Sequence, residues 1–60
     1  MKILDHEGKE VAMAVVLARY FRKPDETTSQ FMGALKGLTM KDKEELAAGA
    51  AKELGLQVVV

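Results

Sequence analysis

The chain has 60 residues, with nine basic and nine acidic side chains, one histidine and no cysteine. This length allows one domain, residues 1–60, which buries only about 60% of the surface of its unfolded chain. The composition excludes disulfides and thiolate metal sites, and a lone histidine is too little for a structural zinc site. We therefore expect no cofactor, and stability that depends on tight packing or on association with a partner.

The charge balance argues against a dedicated nucleic-acid-binding protein, because contacts to phosphates require a basic excess. Residues 1–24 carry five basic and three acidic side chains, a net charge of +2. Residues 25–60 carry four basic and six acidic side chains, a net charge of −2. The longest uncharged apolar run, Val11–Ala18, is far shorter than the roughly 20 residues of a membrane helix. It also lacks the flanks of a signal peptide. These features predict a cytoplasmic protein with no membrane partner.

The first predicted helix covers residues 8–22, after a short extended arm over residues 1–4 and the acidic residues Asp5 and Glu7. Pro24 cannot continue a helix and ends it. At 100° per residue, one face of this helix gathers four side chains into a predicted core stripe: Met13, Val16, Leu17 and Tyr20. Three further apolar residues fall almost opposite: Val11, Val15 and Ala18.

Two more helices follow, over about 29–37 and from Met40 to Leu54. Thr27 or Thr28 is the predicted N-cap of the second helix. Thr39 is the predicted N-cap of the third helix, with Asp42 three residues later. The second helix directs Phe31 and Leu35 to the core. The third has a predicted buried stripe of five residues: Leu46, Ala47, Ala50, Ala51 and Leu54.

Glycines divide this half of the chain into segments. Gly55 followed by Leu56 is the pattern of a Schellman stop, which ends the third helix. Gly33, Gly37 and Gly49 are predicted to admit the close approach of another segment, and Gly37 also fits the end of the second helix.

The last segment, Gln57–Val60, has strong β propensity and no charge. An open edge of three valines is an aggregation hazard, so we expect the segment to pair with residues 1–4 or with the same segment of another copy. A coil packed across the first helix is the alternative. The predicted fold is all-α, with three helices and the option of a minimal strand pair from the terminal segments.

No catalytic group stands out. His6 fits an exposed position near a helix start better than a general base. Ser29 lies in a capping stretch, and a chain of this size rarely builds an oxyanion hole and a pocket. Asp42, Glu44 and Glu45 lack the alternating oxygen ligands of a calcium loop. We expect no enzymatic activity.

DNA binding is the alternative function. The connection over residues 36–39 is a short glycine-containing link between helices, as in a helix-turn-helix. Five basic residues are candidate nucleic-acid contacts: Arg19, Arg22, Lys23, Lys41 and Lys43. The acidic residues near the start of the third helix would repel phosphate. A favourable interaction with the helix dipole also explains the first three basic residues without any ligand.

Self-association or binding to another protein is the favoured function. Two neighbouring helices cannot cover both apolar sides of the first one, and exposed apolar surface in a small protein commonly marks an interface. The candidate interface comprises two sets, the outer residues of the first helix and the tail: Val11, Val15 and Ala18, with Val58, Val59 and Val60. Coverage by the terminal segments is the alternative.

Four segments carry a resemblance to known sequences: Val16–Phe21, Ser29–Phe31, Leu35–Thr39 and Asp42–Leu46. Their order is similar to that in short helical proteins of bacteriophages and prophages, over roughly residues 11–55. The resemblance implies a phage accessory or regulatory protein that acts in the bacterial cytoplasm. The prediction of a homodimer, or of binding to another protein, rests instead on the two apolar sides of the first helix. It transfers no functional residue, and the valine tail has no counterpart in the pattern.

Overall fold

A computed structural model describes residues 1–60. The elements in chain order are β1 (Lys2–Leu4), α1 (Met13–Phe21), α2 (Thr28–Leu35), α3 (Met40–Glu53) and β2 (Gln57–Val59). The three predicted helices are present, and the terminal segments form the optional strand pair. β1 and β2 are antiparallel, with Ile3 opposite Val58, and the pairing lies within one chain.

The first helix begins later than predicted, at Met13 instead of residue 8. The Asp5 side chain accepts hydrogen bonds from the backbone N–H groups of Glu7 (2.8 Å) and Lys9 (2.9 Å). Gly8, at φ 80°, supplies the left-handed residue of a tight hairpin turn. Leu4 and Glu10 then form an antiparallel bridge. The turn leads the residues that follow it back along β1, so these residues cannot form the first turn of a helix.

Threonine caps fix the starts of the other two helices. Thr27 Oγ1 accepts from the Gln30 N–H (3.1 Å) while Gln30 Oε1 accepts from the Thr27 N–H (3.0 Å), which forms a reciprocal capping box. Thr39 Oγ1 accepts from the Asp42 N–H at 3.1 Å. The predicted cap of α3 is confirmed, and Thr27 is the cap of α2.

The end of α3 is the predicted Schellman motif. The Leu56 N–H donates to the Ala51 C=O (2.8 Å) and the Gly55 N–H donates to the Lys52 C=O (3.1 Å). Gly55 has a φ of 78°, which side chains other than glycine rarely adopt. The motif turns the chain out of α3 and directly into β2.

We expect Gly55→Ala to lower the free energy of unfolding by about 1–2 kcal/mol, because the left-handed conformation is unfavourable for alanine. Gly49→Ala should raise it by about 0.5–1 kcal/mol, since Gly49 lies within α3 and a methyl group there would meet nothing within 4 Å. Urea denaturation at one protein concentration measures both. Equal effects of the two changes would contradict the assigned end of α3.

Eight apolar side chains from β1 and the three helices form the core, and Val58 of β2 is partly buried against it. The eight are Ile3, Val16, Leu17, Phe31, Leu35, Ala47, Ala50 and Ala51. α1 packs chiefly on α3, and α3 also packs on β2. All three core residues from α3 are alanines, so the backbones of α1 and α3 can approach closely.

Three residues predicted in core stripes are instead exposed: Tyr20 at 47%, Leu46 at 41% and Leu54 at 36%. Tyr20 lies in the last turn of α1 and Leu54 at the C-cap of α3, where neighbouring elements cover less of the helix. Leu46 lies about 90° around α3 from the centre of its alanine face. Met13 is half-buried against the core.

The prediction that three glycines admit the close approach of another segment is also wrong within this chain. A Cβ atom at Gly33 or Gly49 would meet nothing within 4 Å, and one at Gly37 would meet only the carbonyl oxygen of Ala34, at 3.6 Å. Gly37 follows the end of α2, as the sequence predicted. None of the three helices combines the length and the apolar character that spanning a membrane requires.

Candidate interaction surface

Apolar side chains remain on the surface because the core accepts few large ones. No polar or charged side chain is buried. The exposed large apolar residues are distributed over α1, α2, α3 and the terminal segments: Met1, Val15, Tyr20, Phe21, Met32, Met40, Leu46, Leu54, Val59 and Val60.

The outer residues of the first helix do not form the continuous face that the helical spacing predicted. Val11 precedes α1 in the extended segment, and its N–H donates to the Ile3 C=O at 2.7 Å. Val11 and Ala18 are both partly buried against the core. Only Val15 is exposed, at 43%. The later start of α1 therefore divides the predicted patch.

β2 is the edge strand of the sheet. β1 lies between β2 and the segment that contains Glu10 and Val11. The Ile3 C=O accepts from Val11, so the backbone polar groups of Ile3 point away from β2. In an antiparallel ladder the opposite residue, Val58, then also directs its N–H and C=O away from β1. These two groups face the open edge of β2.

A groove of about 380 Å³ lies between this tail and α3. Four of its seven lining residues are apolar and three are charged: Met1, Ala48, Val58 and Val60, with Glu44, Glu45 and Lys52. We call it the tail groove. Val60 is fully exposed, whereas the Val58 side chain packs partly against the core.

Charged residues of the tail groove have no ion-pair partner in the chain. Lys9 and Glu7, at 3.4 Å, form the one ion pair, and it lies in the N-terminal hairpin. Glu44, Ala48 and Lys52 are spaced by four residues and therefore lie along one face of α3. This face carries a negative charge on one side of Ala48 and a positive charge on the other.

A second groove, of about 400 Å³, shares Met1 with the tail groove. It is lined by β1 and by the extended segment that leads into α1, including Val11 and Met13. The structure therefore places Val11 beside one groove and Val58 and Val60 beside the other.

Two aromatic rings are exposed together at the end of α1. Tyr20 and Phe21 make an edge-to-face contact, with ring centroids 4.9 Å apart and planes at 81°. Both residues lie in the last turn of α1, where neighbouring elements cover less of the helix. Pro24, which ends the helix shortly after these residues, was the available sequence signal, and the core prediction for Tyr20 overlooked it.

The candidate DNA contacts are distributed over two helices and a loop. Arg22 Nη1 donates to the Glu26 C=O (2.6 Å), and the Lys23 N–H donates to Glu26 Oε1 (3.4 Å), so both residues stabilise the loop before α2. Arg19 and Lys41 are exposed, and Lys43 is half-buried. α2 and α3 each pack on α1. DNA binding by α2 and α3 stays a prediction.

The remaining candidate side chains lie on the surface. His6 is at the tip of the hairpin turn, where its Cε1 atom lies 3.8 Å from the position of a Cβ atom on Gly55. Ser29 is exposed in the first turn of α2. No group of three or more histidine, aspartate or glutamate side chains is arranged to hold a metal ion.

Comparison of the chain with protein-family models, with curated proteins and with solved structures gives no match.

Proposed function

We propose that this chain is a non-enzymatic protein-interaction module that self-associates through its C-terminal tail. The observation that carries the proposal is the open edge of β2, which lies beside the tail groove and presents the unpaired backbone groups of Val58. An unpaired strand edge pairs readily with another strand. Natural edge strands are commonly protected by a lysine, a proline or a bulge, and Gln57–Val60 contains none of these.

The order of the segments that resemble phage and prophage proteins supports an accessory role in a bacterial host cell, and we propose the cytoplasm as its location. A small accessory protein acts by binding, so the proposed activity fits the size of the domain. A chain of 60 residues also gains from association, because its core is small.

Sedimentation equilibrium of the wild-type chain tests the proposal, together with two variants that introduce the same charge. We expect a dimer that Val60→Asp weakens about tenfold or more, since the change places an aspartate beside the tail groove in each copy. Val60 is fully exposed, so the substitution should leave folding unchanged.

Val15→Asp is the matched control, because Val15 is an exposed valine on α1 that lines neither groove. We expect it to leave the dissociation constant within about twofold of the wild-type value. Weaker association of Val15→Asp alone would move the interface to α1. A monomer up to millimolar concentration would overturn self-association altogether.

A further inference from the structure

We propose that the partner is a second copy whose β2 adds antiparallel to β2, with Val58 of one copy opposite Val58 of the other. This inference rests on the proposed self-association and specifies its geometry. The two-stranded sheets of both copies then join into one sheet of four strands.

The backbone selects this register. Val58 is the residue of β2 whose N–H and C=O both face the open edge, so two opposed copies of Val58 exchange two hydrogen bonds. Gln57 of each copy then stands opposite Val59 of the other in a pair without mutual hydrogen bonds. The strand carries no charge, so self-pairing brings no like charges together.

The charges on α3 favour a second copy over an unrelated strand. Two antiparallel strands that meet in this way are related by a two-fold axis perpendicular to the sheet. Both copies of α3 then lie on the same side of the sheet and run in opposite directions, with the tail groove between them.

Ala48 lies midway along α3 between Glu44 and Lys52, which line the tail groove with Val58, so we place the axis across the middle of this groove, near Ala48. Glu44 and Lys52 stand four residues before and four residues after Ala48. The axis therefore places Glu44 of each copy opposite Lys52 of the other, and forms two ion pairs from groups that have no partner within one chain. The small side chain of Ala48 permits the close approach of the helices.

Charge reversal tests the α3 contact by sedimentation equilibrium. Glu44→Lys alone, or Lys52→Glu alone, replaces two attractive pairs with two repulsive ones, and we expect dimerisation to weaken about tenfold. An equimolar mixture of the two variants restores opposite charges at both contacts, so a heterodimer of wild-type affinity should form. This recovery also demonstrates that both variants fold.

Glu53→Lys is the matched control, because residue 53 lies nine positions from residue 44 and so on the opposite side of α3. The same charge change there should leave the dissociation constant unaltered. A loss of affinity as large as that of Glu44→Lys would attribute the effect to net charge and contradict the proposed contact.

Disulfide trapping tests the strand register, in a chain that has no cysteine of its own. We expect Gln57→Cys and Val59→Cys to form a covalent dimer rapidly when the two variants are mixed under mild oxidation, because opposed residues without mutual hydrogen bonds have Cα atoms about 4.5 Å apart. Each variant alone should cross-link at least about tenfold more slowly, since neither thiol then faces another thiol.

The outcomes separate this inference from the proposed function. A dimer that shows neither the charge recovery nor the mixed disulfide associates through another surface, and this overturns the β2 pairing while self-association stands. A monomer overturns both. A chain that stays monomeric alone but captures an extended peptide at β2 identifies the edge as a docking strand for another protein, and refutes the second copy as partner.

Discussion

Ile3→Ala should lower the free energy of unfolding by about 2–5 kcal/mol, the usual cost of truncating a fully buried isoleucine. Ile3 is 1% exposed, and it is one of the three largest fully buried side chains of the chain. A domain of 60 residues has a total stability of about 3–9 kcal/mol at ordinary values per residue. We therefore expect a substantial unfolded fraction at 37 °C, measured by circular dichroism during urea and thermal denaturation.

Leu46→Ala is the control for this experiment. It removes the same number of carbon atoms from an isomeric side chain, at a position that is 41% exposed and outside the core. We expect a loss below about 1 kcal/mol there. Similar losses for the two variants would mean that β1 is not packed into the core, and that the helices fold without the strand pair.

Ala47→Leu should lower the free energy of unfolding by about 1–3 kcal/mol, because a larger side chain overfills a closely packed site. Ala47 is 0% exposed and lies on the α3 face that packs against α1. Adding three carbon atoms there forces the two helices apart. Denaturation with urea measures the loss, and two-dimensional NMR spectra should show the shift changes concentrated in α1 and α3.

Ala34→Leu makes the same substitution on the exposed side of α2, outside the core. Leucine and alanine have similar helix propensities, so we expect a change within about 0.5 kcal/mol. Equal stability of Ala47→Leu and Ala34→Leu would mean that the space between α1 and α3 is larger than the three alanines require. It would contradict the close packing of the two helices.

The two later helices were readily predicted because their ends are determined locally. Thr27 and Thr39 accept backbone hydrogen bonds from residues three positions further on, and Gly55 closes α3 through residues within the same turn. Each signal lies within a few residues, and no distant contact is needed to produce it. The bounds of α3 are accordingly within one residue of the prediction.

The start of α1 was predicted wrongly because a distant partner competes for the same backbone. Residues 9–12 are compatible with a helical turn, but β1 offers them antiparallel hydrogen bonds through the hairpin at Asp5 and Gly8. The loss of those helical residues also removes Val11 from the candidate face of α1. The helical spacing could not reveal this, since it treats the segment as isolated.

Packing likewise decided which apolar side chains are buried. Helical spacing placed Tyr20, Leu46 and Leu54 in core stripes, yet all three are exposed because neighbouring elements cover their positions only in part. Ile3 lies in a segment that the sequence identified only as an arm or a strand, and it became a central core residue once β2 paired with β1.

Local patterns in the sequence predict three helices, the caps of α2 and α3, the Schellman end of α3 and the strand character of Gln57–Val60. These features follow from local hydrogen bonds, backbone preferences and side-chain spacing, all of which act over a few residues. Packing in three dimensions establishes that the tail pairs with β1, that β2 is an edge strand and that the tail groove beside it is lined by Glu44, Ala48 and Lys52 of α3. Those relations join residues far apart in the chain, and only their packing in three dimensions brings them together.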